Sequence, residues 1–298
     1  MHIAPEVREA LDAGAPIVAL ESTIISHGLP RPRNLEAARE FEQIVRDAGA
    51  VPATIAVVDG VGRVGLDDAA LERIAGEGVA KASVRDLPIL RARRGTGATT
   101  VAGTVAIAAQ AGIRVFATGG LGGVHQGATS SFDESADIPT LASHPVAVVC
   151  AGVKSVLDVG ATLERMESLS VPVVGWRTDR FPLFWLSSST HELDWRVETA
   201  EEVAAILREQ DATRANAGLV VANPLPEDRQ WDPIEHDAVV AQASAEAERD
   251  RIHGKAVTPY LLGRIVELSQ GRSLEVNLDL VRSNIRLAAA IATAYAAR

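Results

Sequence analysis

The chain has 298 residues, 47% of them hydrophobic, a formal net charge of -10 and a sequence pI near 5.2. Length and apolar content exclude a disordered chain and suffice for a full α/β core. The acidic balance argues against a nucleic-acid partner held through its phosphates, while a locally basic pocket for a small anionic metabolite stays open.

The N-terminal MHIAPEVREALDAG carries charge where a signal peptide needs an apolar core, and no run of about 18 apolar residues follows it. Cys150 is the sole cysteine, so no intrachain disulfide forms. A soluble, cytoplasmic protein with no membrane partner is expected. Residues 5–13 have amphipathic spacing that Gly14 stops, which predicts a short helix. Residues 17–20 read as a buried strand that passes directly into Glu21-Ser22-Thr23. A carboxylate there is costly unless paired or used, so Glu21 is a site candidate; the alternative is a solvated glutamate bonded to nearby backbone. Residues 26–34 form a loop in which His27 either meets substrate or bonds backbone, and Asn34 is placed to cap a helix over 35–48. Residues 53–58 and 62–66 flank Asp59-Gly60 and predict a hairpin, after which Asp67 caps a helix to about Glu77.

The segment Lys81-Ala82-Ser83-Val84-Arg85-Asp86 sets cations beside a hydroxyl and an acid, a set that holds phosphate or forms a surface ion-pair cluster. Residues 91–97 form a basic, glycine-containing loop, and the small side chains of 99–110 predict a helix packed tightly on a sheet. Its N-terminus offers free N–H groups to an anion, although the GK[ST] ending of a P-loop is absent.

The most informative stretch is IRVFATGGLGGVHQGATSSFDESAD, residues 113–137. Residues 113–117 read as a buried parallel strand that Thr118-Gly119-Gly120 ends abruptly, giving a loop at a sheet edge. The glycines at 119, 120, 122 and 123 would bring N–H groups close to a ligand, and Thr118, His125, Thr129, Ser130, Ser131 and Ser135 add donors for phosphate oxygens. Asp133, Glu134 and Asp137 supply hard oxygen ligands for a divalent cation beside an anionic substrate; a mobile glycine loop with an Asp/Ser turn is the plainer alternative.

Residues 146–150 predict another central strand, and Ala151-Gly152-Val153-Lys154 leads into a helix over 155–168. A lysine at that point either loses hydration and attacks a carbonyl as a free amine, or snorkels to solvent. Glu21, the 118–137 loop and Lys154 all follow predicted parallel strands, whose carboxyl ends gather on one ligand-binding rim in open α/β sheets. Strands over 171–176 and 218–222 follow, with an aromatic cluster at 181–186 that covers a core edge, a subunit contact or a planar ligand, of which core or contact is expected. Helices over 199–210, 233–253 and 259–268, with Gly254 as a stop, lead to a last helix over 274–297. Asn277 and Asn284 in that helix are either site residues or core hydrogen bonders. No repeat or linker divides the sequence, so one α/β domain over residues 1–298 with a mostly parallel central sheet is expected.

Taken together, ALESTIISHGLP (19–30), TGGLGGVH (118–125), SFDESADI (131–138), AGVKS (151–155) and NLDLVRSN (277–284) resemble the pseudouridine-5′-phosphate glycosidase, or indigoidine synthase A-like, family over nearly the whole chain. The resemblance implies reversible cleavage of the C–C glycosidic bond of pseudouridine 5′-phosphate to uracil and ribose 5-phosphate, with a divalent metal, typically Mn2+, in a homotrimer of single α/β/α layered domains. Matched motif by motif, it makes Glu21 the proton donor, Lys154 the nucleophile and Asp133 the metal ligand. Lys81, the backbone at Val101, and Ser135, Ala136 and Asp137 would contact substrate. Thr118 and His125 fall near the expected phosphate, and Asn277 aligns with a site asparagine. Asp133 alone would hold a metal weakly, so waters, substrate or a neighbouring carboxylate are expected to complete its oxygen shell. The residue types suit the chemistry, since a carbon leaving group needs a proton and the sugar carbon needs an electron sink, which a lysine imine on ring-opened ribose supplies. Two other readings stay open: a Schiff-base aldolase or isomerase acting on another sugar phosphate, and a sugar-phosphate-binding protein without catalysis.

Overall fold

The computed structural model describes residues 1–252 and 257–297. The branched apolar runs form the strands Ile17–Leu20, Val51–Val58, Val115–Ala117, Ala147–Cys150, Val173–Trp176 and Leu219–Ala222. They lie parallel in the spatial order second, first, third, fourth, sixth, fifth. Every residue of Ile17–Leu20, Ala147–Cys150 and Leu219–Ala222 is buried, because helices cover both faces of the sheet. From the first strand the chain moves outward to Val51–Val58, then returns to lay Val115–Ala117 on the first strand's other side. The winding therefore reverses between Leu20 and Ala117, and a crevice opens at the strands' carboxyl ends at such a reversal. Antiparallel pairing in this sheet occurs at Val51–Val58, which takes both the hairpin strand Val61–Val64 and the strand Gly97–Thr99.

The helix Arg272–Ala296 crosses Ile17–Leu20, Val115–Ala117 and Ala147–Cys150 and packs on helices Arg33–Asp47 and Ala200–Thr213. The helix Val101–Ala111 packs on Ile17–Leu20, Val51–Val58 and the short helix Asp137–Leu141. Its residues 101–108 are all buried, which its small side chains permit by close approach.

Several expectations are corrected, each for a local reason. Asn34 is not the N-cap residue: it lies inside the helix Arg33–Asp47, where its Oδ1 still accepts the Leu35 N–H at 2.9 Å and its Nδ2 donates to the Ile25 and Ala75 carbonyls at 2.9 and 3.0 Å. Ser83 and Asp86 cap the 3-10 turn Val84–Asp86, so neither is left beside Lys81 for phosphate. Arg91 belongs to a helix, Leu87–Ala92, rather than a loop. Lys154 does not open a helix, because Leu157–Asp158 first pairs with Val124–His125 and Asp158 then caps Val159–Ser168. The aromatic cluster is core, with Phe181, Phe184 and Trp185 buried. The helix over 233–253 ends at Arg249, while His253 and the Gly254 stop lie outside the described residues.

The segment after Ala117 is not at a sheet edge. It continues from the sheet's middle and stays paired with residues 149–154: Thr118 N–H to Val149 O at 3.0 Å, Ala151 N–H to Gly119 O at 2.9 Å, Leu121 N–H to Gly152 O at 2.9 Å and Lys154 N–H to Leu121 O at 3.1 Å. Asn284, fully buried, fastens this segment by donating Nδ2 to the Thr118 carbonyl at 2.7 Å and accepting from Asn223 Nδ2 at 2.9 Å. Truncating Asn284 orphans the buried Thr118 carbonyl and leaves Asn223 Nδ2 with Ser283 Oγ alone, at 3.1 Å. Asn284→Ala is expected to lower stability by about 2 kcal/mol or more, against under about 0.5 kcal/mol for the exposed Gln242→Ala, read as midpoint shifts in urea unfolding.

Candidate active site

Glu21 leaves the first strand at the point where the winding reverses, and Thr118 leaves the third strand beside it. The Thr118 hydroxyl donates to Glu21 Oε1. Beneath this pair, Ser22 Oγ donates to Ile55 O at 2.6 Å and accepts from Thr99 N–H at 2.8 Å, while Thr99 Oγ1 donates to Ile55 O at 2.6 Å and meets Thr104 Oγ1 at 2.9 Å. This buried hydroxyl network pins the strand end that carries Glu21. Loss of hydration pushes the Glu21 carboxyl above its ordinary range, and the Asp137 charge pushes the same way. The Lys154 charge, the Thr118 hydrogen bond and the Lys81 charge oppose that rise without cancelling it.

Lys154 lies past the fourth strand, and its Nζ donates to the Gly120 carbonyl at 2.9 Å. Lys81 comes from the small strand Ala80–Ala82, placed by pairing with Gly97–Thr99. Burial and the nearby Lys154 charge lower its ammonium pKa, while Asp137 and Glu21 raise it. The two lysines and two carboxylates therefore form one electrostatic unit. Cys150, at the end of the fourth strand, has its thiol pushed up to about 12 by burial, which leaves it unfit as a nucleophile at neutral pH.

The carboxylates of the 118–137 segment separate into distinct roles. Asp137, 6% exposed, accepts from Ala102 N–H at 2.9 Å through one oxygen and from Gly122 N–H at 2.8 Å through the other. The first turn of Val101–Ala111 is thus occupied by the protein's own acid, and Gly103 N–H goes to Thr100 Oγ1. Only the Val101 amide of that turn has no partner among the described residues. Glu134 pairs with Arg165 at 2.9 Å. The Asp133 carboxylate has no hydrogen bond or ion pair among the described residues, and its charge raises the His125 pKa against the larger effect of burial, which with Lys81 and Lys154 lowers it. Among the described residues no group of three His, Cys, Asp or Glu side chains converges as a metal cage. Asp133 is free to give a cation one oxygen, whereas Glu134 and Asp137 are already committed.

The glycines serve close packing. A Cβ at Gly122 would sit 2.3 Å from Ser135 Oγ, and one at Gly120 would sit 2.6 Å from the Phe184 ring. Ser135 Oγ accepts the Asp137 N–H at 3.2 Å, and Ala136 precedes the helix Asp137–Leu141, its carbonyl accepting from Thr140 Oγ1 at 2.7 Å. Asn277 sets a solvent-shielded Oδ1, without a partner among the described residues, against Gly119. His27 stands on the Lys81 side, its pKa lowered by burial and then by the Lys81 charge. Ser130 and Ser131 do not join the cluster, since both hydroxyls return to the Gly127 carbonyl, and Thr129 is exposed. Sequence reasoning missed Ser22, Thr99 and Thr104; the signal was hydroxyls immediately beside Glu21 and inside an otherwise apolar stretch.

The family model described as "Indigoidine synthase A like protein" matches residues 6–294. A pseudouridine-5′-phosphate glycosidase of Frankia alni is 57% identical over 99% of this chain and 82% of its own length. One from Salinispora tropica is 59% identical over 98% and 91%. The crystal structure of the prealnumycin C-glycosynthase AlnA in complex with ribulose 5-phosphate superposes with a TM-score of 0.92 at 35% identity, covering 99% of this chain and 97% of that one. An indigoidine synthase A-like protein of Thermotoga maritima gives 0.87 at 37% identity, over 94% and 93%. With a matching family model and such identity along nearly its full length, the chain belongs to the pseudouridine-5′-phosphate glycosidase, or indigoidine synthase A-like, family.

Proposed function

We propose that this protein is a pseudouridine-5′-phosphate glycosidase that reversibly cleaves the C–C bond between uracil and ribose 5-phosphate, with Glu21 as proton donor and Lys154 as nucleophile. The observation that carries the reading is a carboxyl group with a raised pKa set at the sheet's winding reversal beside two lysines. The curated relatives bear the glycosidase name, and the structural neighbour was solved with a sugar phosphate, the class of ligand proposed here.

Chemically, the step asks for an acid and an amine. The ribose ring opens as the C1′–O4′ bond breaks, O4′ taking the proton that the Lys154 amine loses as its nitrogen bonds to C1′. Its lone pair becomes a C=N bond as the C1′–uracil bond breaks, and the released pair on the uracil carbon takes the proton of Glu21. Water then hydrolyses the iminium, freeing ribose 5-phosphate and the amine. Lys81, the free Val101 amide and the partly buried His125 are the groups that receive the sugar phosphate, with Ser135, Ala136 and Asp137 shaping the wall and the Asn277 Oδ1 accepting a substrate or lysine proton. Thr118 acts through Glu21. A divalent cation such as Mn2+, held by Asp133 with waters and substrate oxygens, would supply charge neutralisation for the anionic substrate. We also propose a homotrimer, which sedimentation would check.

The wild-type protein is expected to release uracil from pseudouridine 5′-phosphate, and Lys154→Ala to release none detectable by chromatography. Borohydride added to wild type with ribose 5-phosphate should yield a covalent adduct mapped to Lys154 by mass spectrometry; an adduct at another lysine would overturn its role.

Activity that needs protonated Glu21 falls as pH rises through its raised pKa. Thr118→Val removes a hydrogen bond that favours the ionised carboxylate, so the pKa rises further and this alkaline limb of the kcat profile should move to higher pH. A limb that moves to lower pH, or stays, would contradict Glu21 as donor.

Asp133→Asn should weaken Mn2+ binding by about tenfold or more in calorimetry of the protein with ribose 5-phosphate, because the single charged oxygen ligand is lost. Unchanged affinity would exclude Asp133 as the ligand.

A further inference from the structure

We propose that Phe132 is the aromatic face on which the uracil ring stacks, and that it sets recognition of the base while the lysines set recognition of the sugar phosphate. The inference rests on the glycosidase reading above. The groups gathered at the site are carboxylates, lysines, hydroxyls, amides and the imidazoles of His125 and His27. The nearest buried ring, Phe184, lies behind Gly120 and is 2% exposed. A planar base entering this cluster thus finds donors and charges but no phenyl or indole face.

Phe132 is 85% exposed, the most exposed of the large apolar side chains among the described residues. Its φ of 54° lies in the left-handed region, which is costly for a bulky side chain and recurs where function holds it. The residues after it are anchored to the site: His125 N–H donates to Asp133 O at 3.0 Å, Val124 bridges to Glu134, and Glu134 is held by Arg165. The residues before it are held more lightly, since the short helix Ala128–Ser131 fully buries no side chain and only Ala128 packs partly on the core. Gly127, at that helix's other end, is also left-handed, with φ 75°. The ring therefore stands in water just past this short turn, one residue from Asp133, whose carbonyl accepts the His125 N–H. Its neighbours Gln126, Thr129, Ser130, Ser131 and Asp133 are polar, so the ring is a single apolar group rather than part of the contiguous apolar patch that a second copy would cover. A base has a π-face of matching size, and base–aromatic stacking needs no further apolar surroundings.

The test uses the synthetic direction, where base and sugar phosphate are separate substrates. In Phe132→Ala the KM for uracil should rise roughly tenfold or more, while that for ribose 5-phosphate stays within about twofold. Phe132→Tyr keeps a stacking face and should remain near wild type. An unchanged uracil KM in Phe132→Ala, or equal rises in both constants, overturns the proposal, as does a changed sedimentation coefficient that accounts for the loss. Wild type that forms no C–C bond overturns the glycosidase reading itself, which a selective failure of Phe132→Ala does not.

Discussion

A carboxyl group kept largely from water at the end of a buried strand is the constraint around which the other elements are placed. Glu21 meets it through Thr118, whose hydroxyl accompanies the carboxylate and whose carbonyl is held by Asn284. Asn284 in turn takes a hydrogen bond from Asn223, just past the strand Leu219–Ala222. One chain of polar contacts thus runs from the C-terminal helix through the sheet to the acid. Thr118, Asn223 and Asn284 are buried and every member is paired, the condition under which such a network fixes one geometry instead of destabilising the core.

Asp137 plays the corresponding part on the other side of the site. A helix N-terminus with free amides would attract any anion, and here the chain supplies its own. The carboxylate joins the Ala102 and Gly122 amides, so the helix Val101–Ala111 and the glycine segment cannot move independently. Its negative charge also helps to keep the Glu21 proton in place. Ser135 and Asp137 come so near Gly122 that a side chain there would displace them. The glycine run is thus a condition of the acid's position.

The strands were legible because burial on both faces writes itself as short branched runs, and Ile17–Leu20 and the Asp59-Gly60 hairpin fell where their residues placed them. The convergence of Glu21, Thr118 and Lys154 was legible too, since each follows a parallel strand and parallel strands share a carboxyl rim. The purpose of the glycines was not. A glycine in sequence says that a Cβ is absent, and whether that space admits a ligand or a neighbour such as Phe184 is settled only by packing. For the same reason Asp133, Glu134 and Asp137 look alike in sequence, and only Arg165 and two backbone amides separate them. Asn34 and Ser83 show how short polar side chains are claimed by backbone groups distant or adjacent, which spacing alone does not reveal.

The site's charges are coupled, and that coupling connects binding to chemistry. On a chain with net charge -10, the positive charges of Lys81 and Lys154 favour the ionised form of Glu21, the wrong form for the proton donor proposed here. An anionic substrate that settles beside Lys81 offsets part of that positive charge. The opposition to desolvation weakens, and the carboxyl holds its proton to higher pH. The same anion displaces water from the cleft, which raises the cost of ionisation again. The donor is therefore best charged with its proton when substrate is present. Once the proton has gone to the base, the lysine charges stabilise the carboxylate left behind, so the arrangement serves the acid before transfer and its conjugate base after it.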